Sequence, residues 1–127
     1  MSLALKIAQM LVRITALIQI VLGVLIWAGL VKTLIPVHIL SGLVLVISLW
    51  VIAALAGRAG ANLWLVGLAV VCGILVSWLG LIQAQLLLGP AHWVIRVVHL
   101  LLGIGAIGLA EGLAPRTSKR SKPATLA

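Results

Sequence analysis

The stretch LIPVHILSGLVLVISLWVIAAL, residues 34–55, decides the fold. His38 is its only ionisable side chain, and no apolar/polar alternation runs through it. A helix needs about 20 apolar residues to cross a hydrocarbon core. In lipid the backbone must satisfy its own hydrogen bonds, which leaves helices and closed β-barrels. A barrel strand would alternate, so this segment is predicted to be a membrane-spanning helix.

Three more stretches of the same kind flank it, at about residues 7–28, 61–88 and 91–113. The breaks fall at turn-forming residues: Lys32-Thr33 with Pro36, Gly57-Arg58-Ala59-Gly60, and Gly89-Pro90. Lys6 precedes the first span as in a secretory leader. That span is longer than a leader's apolar core and no clear cleavage site follows, so it reads as a retained helix. The expected class is all-α: a four-helix transmembrane bundle, up-down-up-down, with helices 2 and 4 parallel and diagonal to each other. Residues 1–114 form the bundle and residues 115–127 a basic, mobile cytoplasmic tail, because the run after Pro115 has little to bury.

Composition agrees. Only 8% of the chain is charged and 65% is hydrophobic, whereas a soluble surface needs roughly 25–35% charged residues. The net charge of +8 comes from nine Lys and Arg against one acid, Glu111. These cations lie at span ends and in the tail, so they read as topology signals and lipid-headgroup contacts. No basic folded surface exists to enter a nucleic-acid groove, which argues against nucleic acid as a partner. Lys6, Arg13, Arg58, Arg116, Lys119, Arg120 and Lys122 fall on one side, Lys32 and Arg96 on the other. The positive-inside rule then puts both termini in the cytoplasm of a bacterial-type plasma membrane. Trp27 and Trp93 are expected near the outer interface, Trp50 and Trp64 near the inner one. The single Cys72 cannot form an intrachain disulfide and reads as a small buried hydrophobe.

An internal repeat carries the chemistry. Leu17-Ile18-Gln19 recurs as Leu81-Ile82-Gln83, and Val37-His38-Ile39-Leu40-Ser41-Gly42 recurs as Val98-His99-Leu100-Leu101-Leu102-Gly103. Chance similarity between Leu-rich helices is the bland explanation, but the matched histidines and the glycines four residues later weigh against it. His38 and His99 are expected at one depth near the outer face, on two parallel helices. Intramembrane ionisable residues are costly and point to function. Two neutral imidazoles can ligate a haem iron axially, and Gly42 and Gly103, on the same helix faces, leave room for the ring. Zinc or copper would need further ligands, and no Cys or carboxylate is expected at that depth.

Arg96, one turn before His99, is placed to pair with a haem propionate, with Lys32 a second candidate. For both, ordinary snorkelling at the interface is the competing explanation. His92 reads as interfacial, Gln19 and Gln83 as interhelical hydrogen-bonding residues, and Gly73, Ser77 and Gly80 as a small-residue stripe making room for a ring or a neighbouring helix. Glu111 is too far from His99 to ligate and is expected beside Arg116.

The run Gln19-Ile-Val-Leu-Gly23 followed by His38 and Gly42, with its echo Gln83, His99 and Gly103, resembles one half of the haem A synthase fold. That family has eight spans in two four-helix halves, each holding a haem between histidines of its second and fourth helices. The resemblance covers nearly all of the predicted bundle and implies that His38 and His99 are axial ligands. The first outer loop has neither the acidic residue nor the cysteine pair of that family, so the resemblance implies one haem b rather than conversion of haem O to haem A.

The expected function is a membrane b-type cytochrome, an electron-transfer subunit of a larger membrane complex more than a stand-alone enzyme, with lipid and a quinone as further partners. A haem-free structural subunit packing against larger membrane proteins is the competing class. A small multidrug-type transporter fits only in size, since its first helix should carry a membrane-embedded Glu and this one has no acid.

Overall fold

In a computed structural model of the chain, which describes residues 1–121, four long helices run up and down. They are α1 (Leu3–Trp27), α2 (Ile35–Arg58), α3 (Leu63–Ile82) and α4 (His92–Ser121). Each is long and apolar enough to cross a membrane. The fold is an all-α, multi-pass four-helix bundle.

Local chemistry sets the helix ends. The Ser2 side chain accepts the Leu5 N–H to start α1, and the Asn62 side chain accepts the Trp64 N–H to start α3. α1 and α2 stop alike. Gly29 and Gly60 take positive φ, the Leu30 N–H bonds the Leu25 carbonyl, and the Ala61 N–H bonds the Ala56 carbonyl. A Cβ is disfavoured in that left-handed conformation, which is why glycine closes both helices. Pro36 sits in the first turn of α2, where its missing N–H costs nothing.

Two boundaries differ from the sequence expectation. α3 ends at Ile82, passes into a 3₁₀ turn at Gln83–Gln85, and leaves Leu86–Ala91 as a loop where a span to residue 88 is expected. α4 does not stop at residue 113 but continues through Pro115 to Ser121. This corrects the start of the expected tail. Thr117 is buried, its hydroxyl donates to the Leu113 carbonyl at 2.7 Å, and Arg120 donates to the Gly60 carbonyl at 2.7 Å. The local Thr117 bond and the tertiary Arg120 bond hold the helix past a proline that lacks the N–H for its own i−4 bond. The rest of the expected tail, residues 122–127, lies outside the described residues.

α2 packs against α1, α3 and α4, and α4 likewise touches the other three, while α1 and α3 make no comparable contact. The bundle is therefore a rhomb with α2–α4 as its short diagonal. Buried Ala53 and Ala56 on α2, with Ala106, Ala110 and Ala114 on α4, allow close approach.

The core is lopsided. Leu5, Val12, Leu49, Ile52 and Leu113 are almost wholly buried, all in the half of the bundle that holds the N-terminus and the α2–α3 loop. Toward the other end α1 buries nothing after Ala16, α2 nothing before Leu45, and α4 nothing before Ala106. Only α3 carries buried residues, Val76 and Leu79, into that looser half. Both repeated histidines lie there.

Trp50, expected near the inner interface, packs against a neighbouring helix. It lies well inside α2, and its indole Nε1 reaches the Val70 carbonyl of α3 at 3.4 Å. Cys72 is buried as expected, with its Sγ 3.4 Å from the Leu102 carbonyl.

Candidate functional site

α2 and α4 run parallel, and the repeat places His38 one turn into α2 and His99 two turns into α4. The fold brings them together: the ring centroids are 6.4 Å apart and the planes meet at 61°. Each ring leans on a glycine of the helix before it in the chain. A Cβ on Gly23 of α1 would be 3.4 Å from His38 Cε1, and one on Gly80 of α3 would be 2.8 Å from His99 Cε1. Gly80 thus belongs to the site: the position without a Cβ receives the His99 imidazole from the neighbouring helix α4. Gly73, in the same stripe, instead receives Trp50.

The site has unmet hydrogen-bonding capacity. His38 Nδ1, His99 Nδ1 and Ser77 Oγ are buried with no partner among the described residues. Ser77 stands one turn before Gly80, against which His99 rests. A buried polar atom left without a partner costs about 1–3 kcal/mol. Native structures keep few of them, and each asks for a reason such as a bound group.

His38 is further fixed through its backbone. Gln19 Nε2 donates to the His38 carbonyl at 2.5 Å and to Ser41 Oγ at 2.6 Å, and Ser41 in turn donates to the Val37 carbonyl. The interhelical role expected of Gln19 is therefore filled. Gln83, its sequence echo, is not inside α3 but in the 3₁₀ turn beyond it. The two halves are thus equivalent in their histidines and not in their glutamines.

The glycines of the repeat also differ. Gly103 faces open space, with nothing within 4 Å of where a Cβ would be, as a ring-accommodating position requires. The space over Gly42 is filled by the Gln19 amide, 3.3 Å from a Cβ there. Gly42 therefore admits a glutamine and leaves no room for a ring edge on that face.

Arg96 lies one turn from His99 toward the end of the bundle, with its guanidinium carbon 5.9 Å from the Trp27 ring centroid. Such stacking holds the cation at the mouth of the site. It also lines an open hollow of about 510 Å³ with Leu88, Pro90, His92 and Trp93. His92 Nδ1 lies 3.0 Å from the Leu86 carbonyl and so shapes the α3–α4 loop. Lys32 begins the 3₁₀ turn before α2.

Glu111 is not beside Arg116 in an ion pair. It accepts from Arg13 Nε and Nη2 of α1, both at 2.9 Å, and from Gln9 Nε2 at 3.2 Å. The described residues contain no group of three or more His, Cys, Asp and Glu that could hold a metal ion. What they contain is a histidine pair.

Comparison with known protein families, with curated proteins and with solved structures finds no match.

Proposed function

We propose that this bundle is a membrane b-type cytochrome in which His38 and His99 hold one haem. The observation that carries this is the separation of the two rings. A metal–imidazole bond is about 2.0–2.1 Å, and an imidazole nitrogen sits about 1.1 Å from its ring centre. Two rings facing each other across one metal therefore have centres about 6.3 Å apart, against 6.4 Å here. Partnerless nitrogens on both rings suit the same purpose.

The donor count narrows the class of metal group. Zinc sites take three or four protein ligands, and two histidines alone would leave such an ion under-coordinated. A haem carries most of its metal's donors itself and would take the remaining ones from His38 and His99. Held there, it would supply one-electron transfer.

The protein's part is to hold and orient. Gly23 and Gly80 let the rings lie close to α1 and α3. Gln19 ties the His38 backbone to α1. The open face at Gly103 and the looser end of the bundle leave space beside the histidines, and Arg96, one turn from His99, would pair with a propionate. With both termini and the α2–α3 loop cytoplasmic, the site lies toward the outer face of a bacterial-type plasma membrane. Lys6, Arg58, Arg116, Lys119 and Arg120 cluster at the end opposite the histidines, as the positive-inside rule asks. On this reading the bundle is an electron-carrying subunit of a larger membrane complex, with a quinone as a further partner.

The test is a reduced-minus-oxidised optical spectrum of the detergent-purified protein beside the His38→Ala/His99→Ala variant. A sharp low-spin b-type signal in the wild type, lost in the variant, supports the proposal. A wild type without haem, or haem retained in the double variant, refutes it and favours a structural subunit whose histidines serve packing.

A further inference from the structure

The Arg13–Glu111 pair is misplaced for a bundle that works alone. α1 runs from Leu3 to Trp27, so Arg13 is about 15 Å from one end and about 21 Å from the other at 1.5 Å per residue. Glu111 meets it at the same level from α4 with two parallel hydrogen bonds. Charges this deep normally face a bundle interior or a watery cavity. Here the Arg13 side chain is 64% exposed and that of Glu111 is 35% exposed. Met10, Ile14 and Leu17 around Arg13 are also exposed, so the surroundings are apolar.

A second feature lies on the same face. Gly108 is one turn before Glu111, exposed, and nothing comes within 4 Å of where its Cβ would be. Gly112 completes a Gly-x-x-x-Gly spacing, which lets two membrane helices approach closely. It is part-buried, with the Arg116 guanidinium 3.7 Å from where its Cβ would be, so Gly108 is the open position of the two.

We propose that the α1–α4 face docks a second copy of this chain. The charge pattern selects that occupant. The face presents one cation and one anion at a single depth, so it complements itself better than a partner of either sign. A twofold axis along the membrane normal preserves depth. It brings each copy's Arg13 toward the other's Glu111, while the Gly108 positions meet near the axis. The pair then changes from a lipid-facing charge into a four-membered network between two chains.

The test uses the full chain in lipid vesicles at low protein density, with single-molecule photobleaching to count copies. Wild type is expected to bleach in two steps. Gly108→Leu, whose Cβ would have open space around it, is expected to bleach in one step with unchanged helix content. Gly67→Leu is the matched control: it also meets nothing within 4 Å, but lies on α3, and it is expected to remain dimeric. Arg13→Gln/Glu111→Gln, which keeps hydrogen bonding and removes charge, is expected to weaken the dimer at least tenfold. Gly108→Cys in a Cys72→Ala background is expected to form a disulfide dimer, and Gly67→Cys in that background is not. A wild type that bleaches in one step at every density overturns the proposal. So does a Gly108→Leu variant as dimeric as wild type, or trapping of Gly108→Cys only to a different membrane polypeptide.

Discussion

Alanine at Gly80 and alanine at Gly23 should have unequal effects, although each adds one methyl beside a histidine. At Gly80 the new Cβ would stand 2.8 Å from His99 Cε1, whereas at Gly23 it would stand 3.4 Å from His38 Cε1. The second distance is ordinary contact and asks nothing of the ring. The first requires His99 to withdraw by about 0.6 Å to reach the same spacing. Metal–ligand distances tolerate about 0.2 Å, so that retreat exceeds what an axial bond absorbs. Packing strain of the usual overpacking size, about 1–3 kcal/mol, would accompany it. Gly80→Ala is therefore expected to lose most bound haem or to convert a low-spin spectrum to high-spin, with helix content intact. Gly23→Ala should keep the wild-type spectrum. Difference spectra and haem-to-protein ratios of the two variants, purified side by side, measure this directly. Equal loss in both, or none in Gly80→Ala, would refute the view that His99 is held against Gly80 as a ligand.

Gln19→Ala removes the donor to the His38 carbonyl and to Ser41 and should lower stability by about 1–2 kcal/mol. Gln83→Ala leaves the backbone bonds of the 3₁₀ turn in place and removes a side chain with no hydrogen bond among the described residues, so it should change little. Thermal melts in one detergent decide between these, and a larger effect at Gln83 would contradict the asymmetry of the repeat. Gly73→Ala would drive a Cβ into Trp50 Nε1, with Val46 also close, so either the indole or the α2–α3 contact must shift. A drop of about 1–3 kcal/mol with quenching or a shift of tryptophan emission is expected, and an unchanged melt would show that Trp50 swings aside freely.

Sequence reasoning reached the four spans because apolar length is a strong signal and lipid leaves the backbone few choices. It reached the histidine pair because two parallel helices preserve the depth of matched residues. It missed what depends on which helices touch. Gly80 stands out as part of a small-residue stripe and Gly23 as the end of the Gln19 run, but only the packing of neighbouring helices shows which histidine each one meets. Gly42 looked free for a ring, but the Gln19 amide fills its space, since Gln19 sits opposite it on α1. Arg13 counted as an inner-side charge, and nothing near it in the sequence marked its ion pair with Glu111 of α4. Pro115 looked like a stop. The bonds of Thr117 and Arg120 that carry α4 past it are long-range or lie beyond the apolar run, where composition gives no signal.

The uneven core has a consequence for how such a protein would be made. One end, around Leu49, Ile52 and Leu113, is closed by its own side chains, and the end with the histidines is not. The chain can therefore insert and join its four helices at the closed end before anything is bound, leaving the open end as an entry. A group held between His38 and His99 would be loaded late, into a bundle already assembled. The empty protein would then be a stable intermediate, convertible to the loaded form after purification.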